Sequence, residues 1–431
     1  MSTTCVVQES HGTSLIALEA SPHGQQLDSS AAPNGESFPK LETWNQSRRN
    51  VQRTLATFWC FMVMGANDAA YGALIPYLES YYHLSYTIVS LVFLSPLVGY
   101  TVAALLNHRI HSTFGQRGVA IIAPLSHLIA YVISCVHPPY PVLVVAYIFA
   151  GLGNGLEDAG WNAWIGNMAN ANELLGLLHG FYGAGAVLSP LIATSMIARG
   201  SMPWYYFYYV MLGGMCGGRA IANVQSAEEN RQGGLKRALF NRPSARVTWL
   251  CALFLLGYVG VEVALGGWIV TFMIRVRDGS AFASGMTATG FWLGITVGRI
   301  VLGFVTPRVG EKIAISAYIL CSIACALILW LVPQFYASAV AVSLQGFFLG
   351  PLFPGVVVMV TKLLPRHLHV TSIGFVAAFG GSGAAILPFA VGVLAQAKGV
   401  KVLQPFIIGL SGAILIAWFG LPRVSKVRRN E

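Results

Sequence analysis

Long apolar runs alternate with short polar breaks from about residue 54 to residue 421. Most of the runs approach the ~20 residues that an α-helix needs to cross ~30 Å of hydrocarbon. The pattern therefore predicts twelve membrane-spanning helices, six on each side of a polar stretch. We place them at 54–78, 87–107, 117–136, 141–165, 174–198, 203–217, 247–274, 284–306, 313–332, 336–361, 369–396 and 402–421.

The segments between and beyond these runs complete the predicted organisation. Residues 1–53 are rich in Ser, Gly, Gln and Asn and are predicted to form a disordered cytoplasmic tail. Two six-helix halves, 54–217 and 247–421, flank a cytoplasmic loop at 218–246, and 422–431 form a short cytoplasmic tail. The sixth run is short, which fits either a thinned bilayer or a piece of sequence that is missing.

Composition supports a membrane protein. Apolar residues make up 55% of the chain, charged residues 10%, and the mean hydropathy is +0.64. A soluble chain carries about 25% charged residues, because water must solvate its surface. The net charge of +10 is spread over the loops and forms no binding face for nucleic acid. No metal-type spacing of His and Cys, cofactor motif, disulfide framework or catalytic constellation is recognisable, so neither a cofactor nor an enzyme activity is expected.

The distribution of Lys and Arg predicts the orientation of the chain. With the N-terminus inside, 20 of them fall on the cytoplasmic side, five on the other side and one within a span. This bias predicts that both termini are cytoplasmic and that the number of spans is even. The expected protein is a monomer embedded in the bilayer of the plasma or vacuolar membrane.

The two halves repeat each other. Asp68 and Glu262 are 194 residues apart, and Gly99 and Gly298 are 199 residues apart. Further pairs at offsets of 195 or 198 are Gly151 with Gly346, Gly155 with Gly350, Gly185 with Gly383 and Pro190 with Pro388. The repeat predicts an all-α fold of two pseudo-symmetric six-helix bundles that face each other around a midplane cavity, as in secondary transporters.

One motif lies where the eighth span meets the following loop. Residues 298–303 read Gly-Arg-Ile-Val-Leu-Gly, and residues 307–312 read Pro-Arg-Val-Gly-Glu-Lys. This segment resembles the loop signature of the major facilitator superfamily, and the first half carries a degenerate copy with Asn107 in place of the usual Asp. The resemblance implies the twelve-helix facilitator fold. It also implies a gating role for Gly298, Arg299, Gly303, Arg308, Gly310 and Arg117.

A second resemblance narrows the group. Residues 65–76 and 153–162 resemble the fucose-permease-like group and its fungal relatives. In that group an acidic residue of the fourth helix is followed four positions later by Asn, as Asp158 is followed by Asn162. Glu157 adds a neighbouring carboxylate, and the sequence leaves open which of the two takes the family role.

Four carboxylates lie inside predicted spans, where each costs a few kcal/mol and must face protein or water. They are Asp68, Glu157, Asp158 and Glu262. A proton-coupled carrier needs such groups, and a structural hydrogen-bonding role is the alternative for each. Because adjacent residues are about 100° apart on a helix, at most one of Glu157 and Asp158 points straight into the cavity.

Other polar and aromatic residues within the spans are candidates for substrate binding. Arg299 could pair with a cavity acid instead of gating. Amides could bind hydroxyl groups and aromatic rings could stack on a ligand, while interhelical hydrogen bonds and lipid contacts are the alternatives. The substrate-cavity candidates are Asn67, Asn162, Trp161, His179, Tyr182, Trp268, Trp292 and Gln345.

The intramembrane acids and the resemblance together predict a proton-coupled carrier of a small, sugar-like solute that works by alternating access. A proton-driven exporter of a fungal metabolite or drug would use the same fold and the same acids. A membrane sensor without transport activity is a further alternative, disfavoured by the short polar tails. The expected partners are a small-molecule substrate, protons and lipid.

Overall fold

A computed structural model describes residues 42–166, 168–169, 171–217, 244–365 and 368–422, and the regular structure in these ranges is helical throughout. We number the helices in chain order. They are α1 (Arg48–Tyr82), α2 (Tyr86–Asn107), α3 (Thr113–Cys135), α4 (Tyr140–Gly166), α5 (Glu173–Arg199), α6 (Tyr206–Gly217), α7 (Ser244–Arg277), α8 (Ala281–Val309), α9 (Glu311–Leu331), α10 (Phe335–Leu363), α11 (Ser372–Lys398) and α12 (Val400–Gly420).

Within the described ranges, eleven helices are long and apolar enough to cross a membrane. The exception is α6, whose 12 described residues match the weak sixth run of the sequence. Helix α1 begins at Arg48, six residues before the predicted start, so the end of the predicted N-terminal tail is helical. Most of that tail, nearly all of the loop at 218–246 and nearly all of the C-terminal tail lie outside the described residues.

Local chemistry explains where several helices begin, bend and end. The hydroxyl of Ser47 caps α1 by accepting a hydrogen bond from the Asn50 amide at 3.1 Å, and His83 ends α1 in the left-handed conformation with φ 51°. At Gly115, in the first turn of α3, the backbone has φ 62°, a conformation that glycine adopts without steric cost. Helix α10 is interrupted at Pro351.

The packing of α2 on α4 is repeated by α8 on α10. A Cβ atom on Gly99 would lie 2.0 Å from the carbonyl oxygen of Ile148, and one on Gly298 would lie 2.0 Å from that of Phe347. Only glycine allows these backbones to approach so closely. The helices therefore cross at equivalent points of the two halves, and the predicted repeat of six-helix bundles is confirmed.

The structure changes the register of two predicted pairs. Gly99 contacts the backbone of Gly151, and Gly298 contacts that of Gly350. Gly151 therefore corresponds to Gly350, 199 residues away, and not to Gly346 as the sequence offset of 195 suggested. The predicted pairing of Gly155 with Gly350 is wrong for the same reason. The correct offset equals that of Gly99 and Gly298, because both pairs belong to the same helix crossing.

Exposed side chains outside the bundle are strongly apolar. Phe304 is 69% exposed, Ile313 66% and Leu331 70%, although these residues would be buried in a soluble protein of this size. Lipid hydrocarbon is the solvent that suits such a surface. We call the end of the bundle where α1 begins the proximal end and the end where α1 finishes the distal end.

Candidate functional site

Asp68 lies midway along α1 and is held by three hydrogen-bond donors from three helices. Asn154 on α4 donates its amide Nδ2 to Asp68 Oδ1 at 2.8 Å, and Asn67 donates to the same oxygen at 3.1 Å. The hydroxyl of Tyr182 on α5 donates to Oδ2 at 3.1 Å. Neutral donors of this kind stabilise an ionised carboxylate, and no hydrogen bond from a cation to Asp68 is found within the described chain.

The two adjacent acids of α4 point in different directions. Asp158 is partly exposed, and its carboxylate accepts a hydrogen bond from Asn162 Nδ2 at 2.7 Å. Glu157 is only 1% exposed and faces His127 on α3. The carboxylate that remains accessible is therefore that of Asp158, which lies close enough to Asp68 for their charges to interact.

The C-terminal half carries an ion pair near its centre. Arg299 Nη2 on α8 lies 3.0 Å from Glu262 Oε1 on α7, with the side chains 24% and 8% exposed. Arg299 Nε also donates to the carbonyl oxygen of Gly350 at 3.3 Å. That carbonyl is available because residue 354, which would donate to it in a regular helix, is a proline without an N–H.

The acidic cluster and the ion pair approach each other across the boundary between the halves. A Cβ atom on Gly183 of α5 would lie 2.8 Å from Thr296 Oγ1 of α8. The adjacent Tyr182 is close enough to Glu262 and Arg299 to interact electrostatically with both, and His179 is close enough to interact with Arg299. The structure thus brings the acidic cluster of the N-terminal half close to the ion pair of the C-terminal half.

Three other predicted candidates make contacts with aromatic side chains or with the backbone. Trp268 is fully buried and donates its indole N–H to the Pro388 carbonyl at 2.9 Å, which is a packing role. Trp161 is 7% exposed and packs edge-on against Trp164. His179 is exposed, with its ring edge-on to Phe61 at 5.7 Å.

Two other candidates are buried with polar atoms that lack partners. The side-chain amide atoms of Gln345 and the indole N–H of Trp292 make no hydrogen bond within the described part of the chain. The two residues lie on the packed helices α10 and α8 and are 0% and 4% exposed. Buried polar groups normally have a partner, so these atoms are suited to meet water or a ligand polar group.

His127 was missed by the sequence interpretation. It is 1% exposed, and its Nε2 lies 2.7 Å from Asn154 Oδ1. The available signal was a single imidazole within an apolar run, which is a polar side chain that must find a partner inside the membrane.

The predicted gating residues lie mainly at the proximal end. Arg117 and Arg308 are exposed there, and Gly310 joins α8 to α9 with φ 97°. Gly303 has open space around it and makes no close helix contact. Arg299 differs from these gating candidates, because it lies within the bundle and forms an ion pair with Glu262.

Polar contacts close the two halves on each other at the distal end. Arg275 Nη2 of α7 lies 3.2 Å from Glu79 Oε1 of α1, and the guanidinium of Arg199 lies 3.7 Å from the centre of the Phe282 ring. The backbone of α1 also approaches α7 closely, since a Cβ atom on Gly72 would lie 1.9 Å from the carbonyl oxygen of Gly266. The halves are therefore in direct contact at this end.

The sequence matches one known protein family over most of its length. The family model described as Major Facilitator Superfamily matches residues 57–342 and 278–431. The chain belongs to this superfamily. It is therefore an integral, multi-pass membrane protein of a transporter family, as the loop motif predicted.

Relatives support the same placement. The chain is 29% identical over 414 residues to "Bypass of stop codon protein 6" of Saccharomyces cerevisiae, covering 87% of this chain and 83% of the relative. It is 24% identical to the "Glucose/mannose transporter GlcP" of Bacillus subtilis, covering 77% and 85%.

A solved structure of a variant of the Escherichia coli fucose:proton symporter FucP matches with a TM-score of 0.59 at 14% identity, covering 88% of this chain and all of that one. At this identity the likeness concerns the fold. The predicted membership of the major facilitator superfamily is confirmed, and one similar protein comes from a fungus.

Proposed function

We propose that this protein is a proton-coupled carrier of a small, sugar-like solute that works by alternating access. The observation that carries the proposal is the pair of carboxylates Asp68 on α1 and Asp158 on α4. Both lie inside membrane-spanning helices and are close enough for their charges to interact. Asp68 has neutral hydrogen-bond donors, and Asp158 keeps partial exposure. Carboxylates in this setting can gain and lose a proton as access to water changes.

The solute is proposed to bind between the halves. Asn67, Asn162 and Tyr182 supply the donors and acceptors that hydroxyl groups require. The unpaired amide of Gln345 and indole N–H of Trp292 supply polar contacts from the C-terminal half. The names of a glucose/mannose transporter and a fucose:proton symporter among similar proteins support a sugar and a proton.

Alternating access is proposed from the contacts at the distal end. Glu79–Arg275 and Arg199–Phe282 would break when that end opens, and the proximal gating residues would then come together. We further propose a monomer with both termini in the cytoplasm, in the plasma or vacuolar membrane, following the charge bias of the loops.

The test is solute flux into proteoliposomes under an imposed pH gradient, with an internal pH dye. The panel holds hexoses, deoxyhexoses and aromatic metabolites. Uptake of a sugar together with protons supports the proposal. Counter-movement of protons with an aromatic metabolite would instead favour an exporter, and a protein that moves none of the panel would contradict the sugar carrier.

The first variant to measure is Asp158→Asn. It should abolish coupled flux while the protein stays folded and inserted, because the amide keeps the hydrogen bond to Asn162 but neither ionises nor accepts a proton near neutral pH. The control variant is Gln404→Leu, which changes a buried polar residue of α12. Normal coupled flux in the Asp158→Asn variant would remove Asp158 from the proposed role.

A further inference from the structure

A line of polar side chains runs from Asp68 into the interior of the N-terminal half. The amide of Asn154 links Asp68 to the imidazole of His127, whose other nitrogen, Nδ1, faces Glu157 Oε1 at 3.8 Å. Asn154, His127 and Glu157 are each 1% exposed. The line therefore begins at the partly exposed carboxylate and ends at a carboxyl group that water does not reach.

The donor and the acceptor of each hydrogen bond along this line can be assigned. Asn154 turns its N–H toward Asp68, the stronger acceptor, at 2.8 Å, so its carbonyl oxygen Oδ1 faces His127. His127 Nε2 lies 2.7 Å from that oxygen and must therefore carry a hydrogen. The remaining nitrogen, Nδ1, and the Glu157 carboxyl then decide the charge of the buried end.

The buried end needs one proton. Within the described chain, neither oxygen of Glu157 has a hydrogen-bond donor, and an isolated ionised carboxylate is strongly disfavoured in such a place. One proton shared by the Glu157 carboxyl and His127 Nδ1 removes the uncompensated charge. The pair is then either a neutral acid beside a neutral imidazole or a carboxylate beside an imidazolium. Both arrangements have zero net charge.

Among the described residues, the groups found around the pair supply no positive charge that would replace this proton. The helices packed around the pair contribute two acids, a phenol and a thiol, and none of these is a cation. They are Cys60 and Asp68 of α1, Tyr131 of α3 and Asp158 of α4. The nearby Ala123 carbonyl is an acceptor and likewise favours retention of the proton near His127.

We propose that Glu157 and His127 keep one shared proton throughout transport and act as a neutral positioning pair that aims the Asn154 N–H at Asp68. Glu157 is then a positioning residue and not a coupling carboxylate. This role rests on the proposed proton coupling at Asp68, and it assigns the two acids of α4 different tasks: Asp158 exchanges protons and Glu157 does not.

The first measurement is an infrared pH titration of the Asp68 carboxylic acid band in lipid nanodiscs, with the band identified by its loss in Asp68→Asn. Glu157→Gln keeps a neutral side chain of the same shape and should leave the midpoint unchanged. Glu157→Leu and His127→Phe release Asn154, so Asp68 loses an aligned donor and its midpoint should rise by about one pH unit. Gln404→Leu is the matched control and should not move it.

Coupled flux supplies the second readout. Glu157→Gln should retain proton-coupled uptake with the wild-type pH profile, whereas Asp68→Asn should lose it. Loss of coupling in Glu157→Gln would overturn the proposal, and so would wild-type Asp68 midpoints in both Glu157→Leu and His127→Phe. If either of these two does not fold, His127→Asn keeps a donor for Asn154 and should show a smaller shift in the same direction.

The two proposals can fail separately. If the wild-type protein moves no proton with any solute, the proposed function fails, yet the infrared titration still reports whether Glu157 and His127 act on Asp68. If coupled uptake is present but the titration is unaffected by Glu157→Leu and His127→Phe, only the positioning role fails.

Discussion

Glu262→Gln tests whether the central ion pair of the C-terminal half is a stabilising unit. Glutamine has the shape of glutamate and can still accept from Arg299 Nη2, which lies 3.0 Å from Glu262 Oε1. The change therefore removes the negative charge and little else. Arg299 keeps its second bond, to the Gly350 carbonyl, but loses its counter-charge.

The expected magnitude follows from exposure. Removing one partner of a fully buried ion pair costs about 3–5 kcal/mol, because a charge is left without compensation. Arg299 is 24% exposed, so water screens part of its charge, and we expect Glu262→Gln to lower the free energy of unfolding by about 2 kcal/mol. Arg299→Gln should cost about 3 kcal/mol, since Glu262 is only 8% exposed.

The assay is a double-mutant cycle on the free energy of unfolding in mixed micelles. The variant with both changes carries two neutral amides and should lose at least ~1 kcal/mol less than the sum of the single changes. Glu79→Gln, at an ion pair whose arginine is 53% exposed, is the control and should cost less than ~1 kcal/mol. Additive losses at positions 262 and 299 would refute the interpretation of the pair as one coupled unit.

Two further predictions concern the distal end. Glu79→Gln removes the ion pair with Arg275, which should shift the population toward the distally open form about two- to five-fold, for ~0.5–1 kcal/mol. Distances between spin labels at the distal ends of α1 and α7 measure this shift, and Glu311→Gln, which breaks an ion pair inside the C-terminal half, should leave them unchanged. Gly72→Ala places a Cβ 1.9 Å from a backbone oxygen of α7 and should separate the same labels, whereas Gly409→Ala has open space and should not. Unaltered distances in both distal variants would contradict the idea that these contacts close the bundle.

The spans and the two halves were predictable because both rest on strong, local signals. A run near 20 apolar residues marks a span wherever it occurs, and glycines that allow backbones to touch recur in each half. The offset failed at Gly151, because in a chain rich in glycine the pattern alone does not show which glycine contacts which helix. Gly350 is the partner that the crossing of α8 and α10 selects.

The site was predictable in its residue types but not in its directions. In a soluble protein the apolar stripe of a helix tells which face is buried. Around α4 the lipid-facing and protein-facing sides are both apolar, so nothing in the sequence distinguishes the direction of Glu157 from that of Asp158. The same ambiguity hid His127, and it made Trp268 look like a ligand contact when it is a packing residue.

The repeat places Asp68 and Glu262 in corresponding helices, yet the two carboxylates have different partners. Three neutral donors hold Asp68, and they stabilise its charge without supplying a counter-charge. Glu262 instead pairs with the guanidinium of Arg299, which is always charged and supplies a counter-charge. We infer that the duplication supplied two equivalent acids, and that the arginine of α8 has made the acid of the C-terminal half one partner of a structural ion pair.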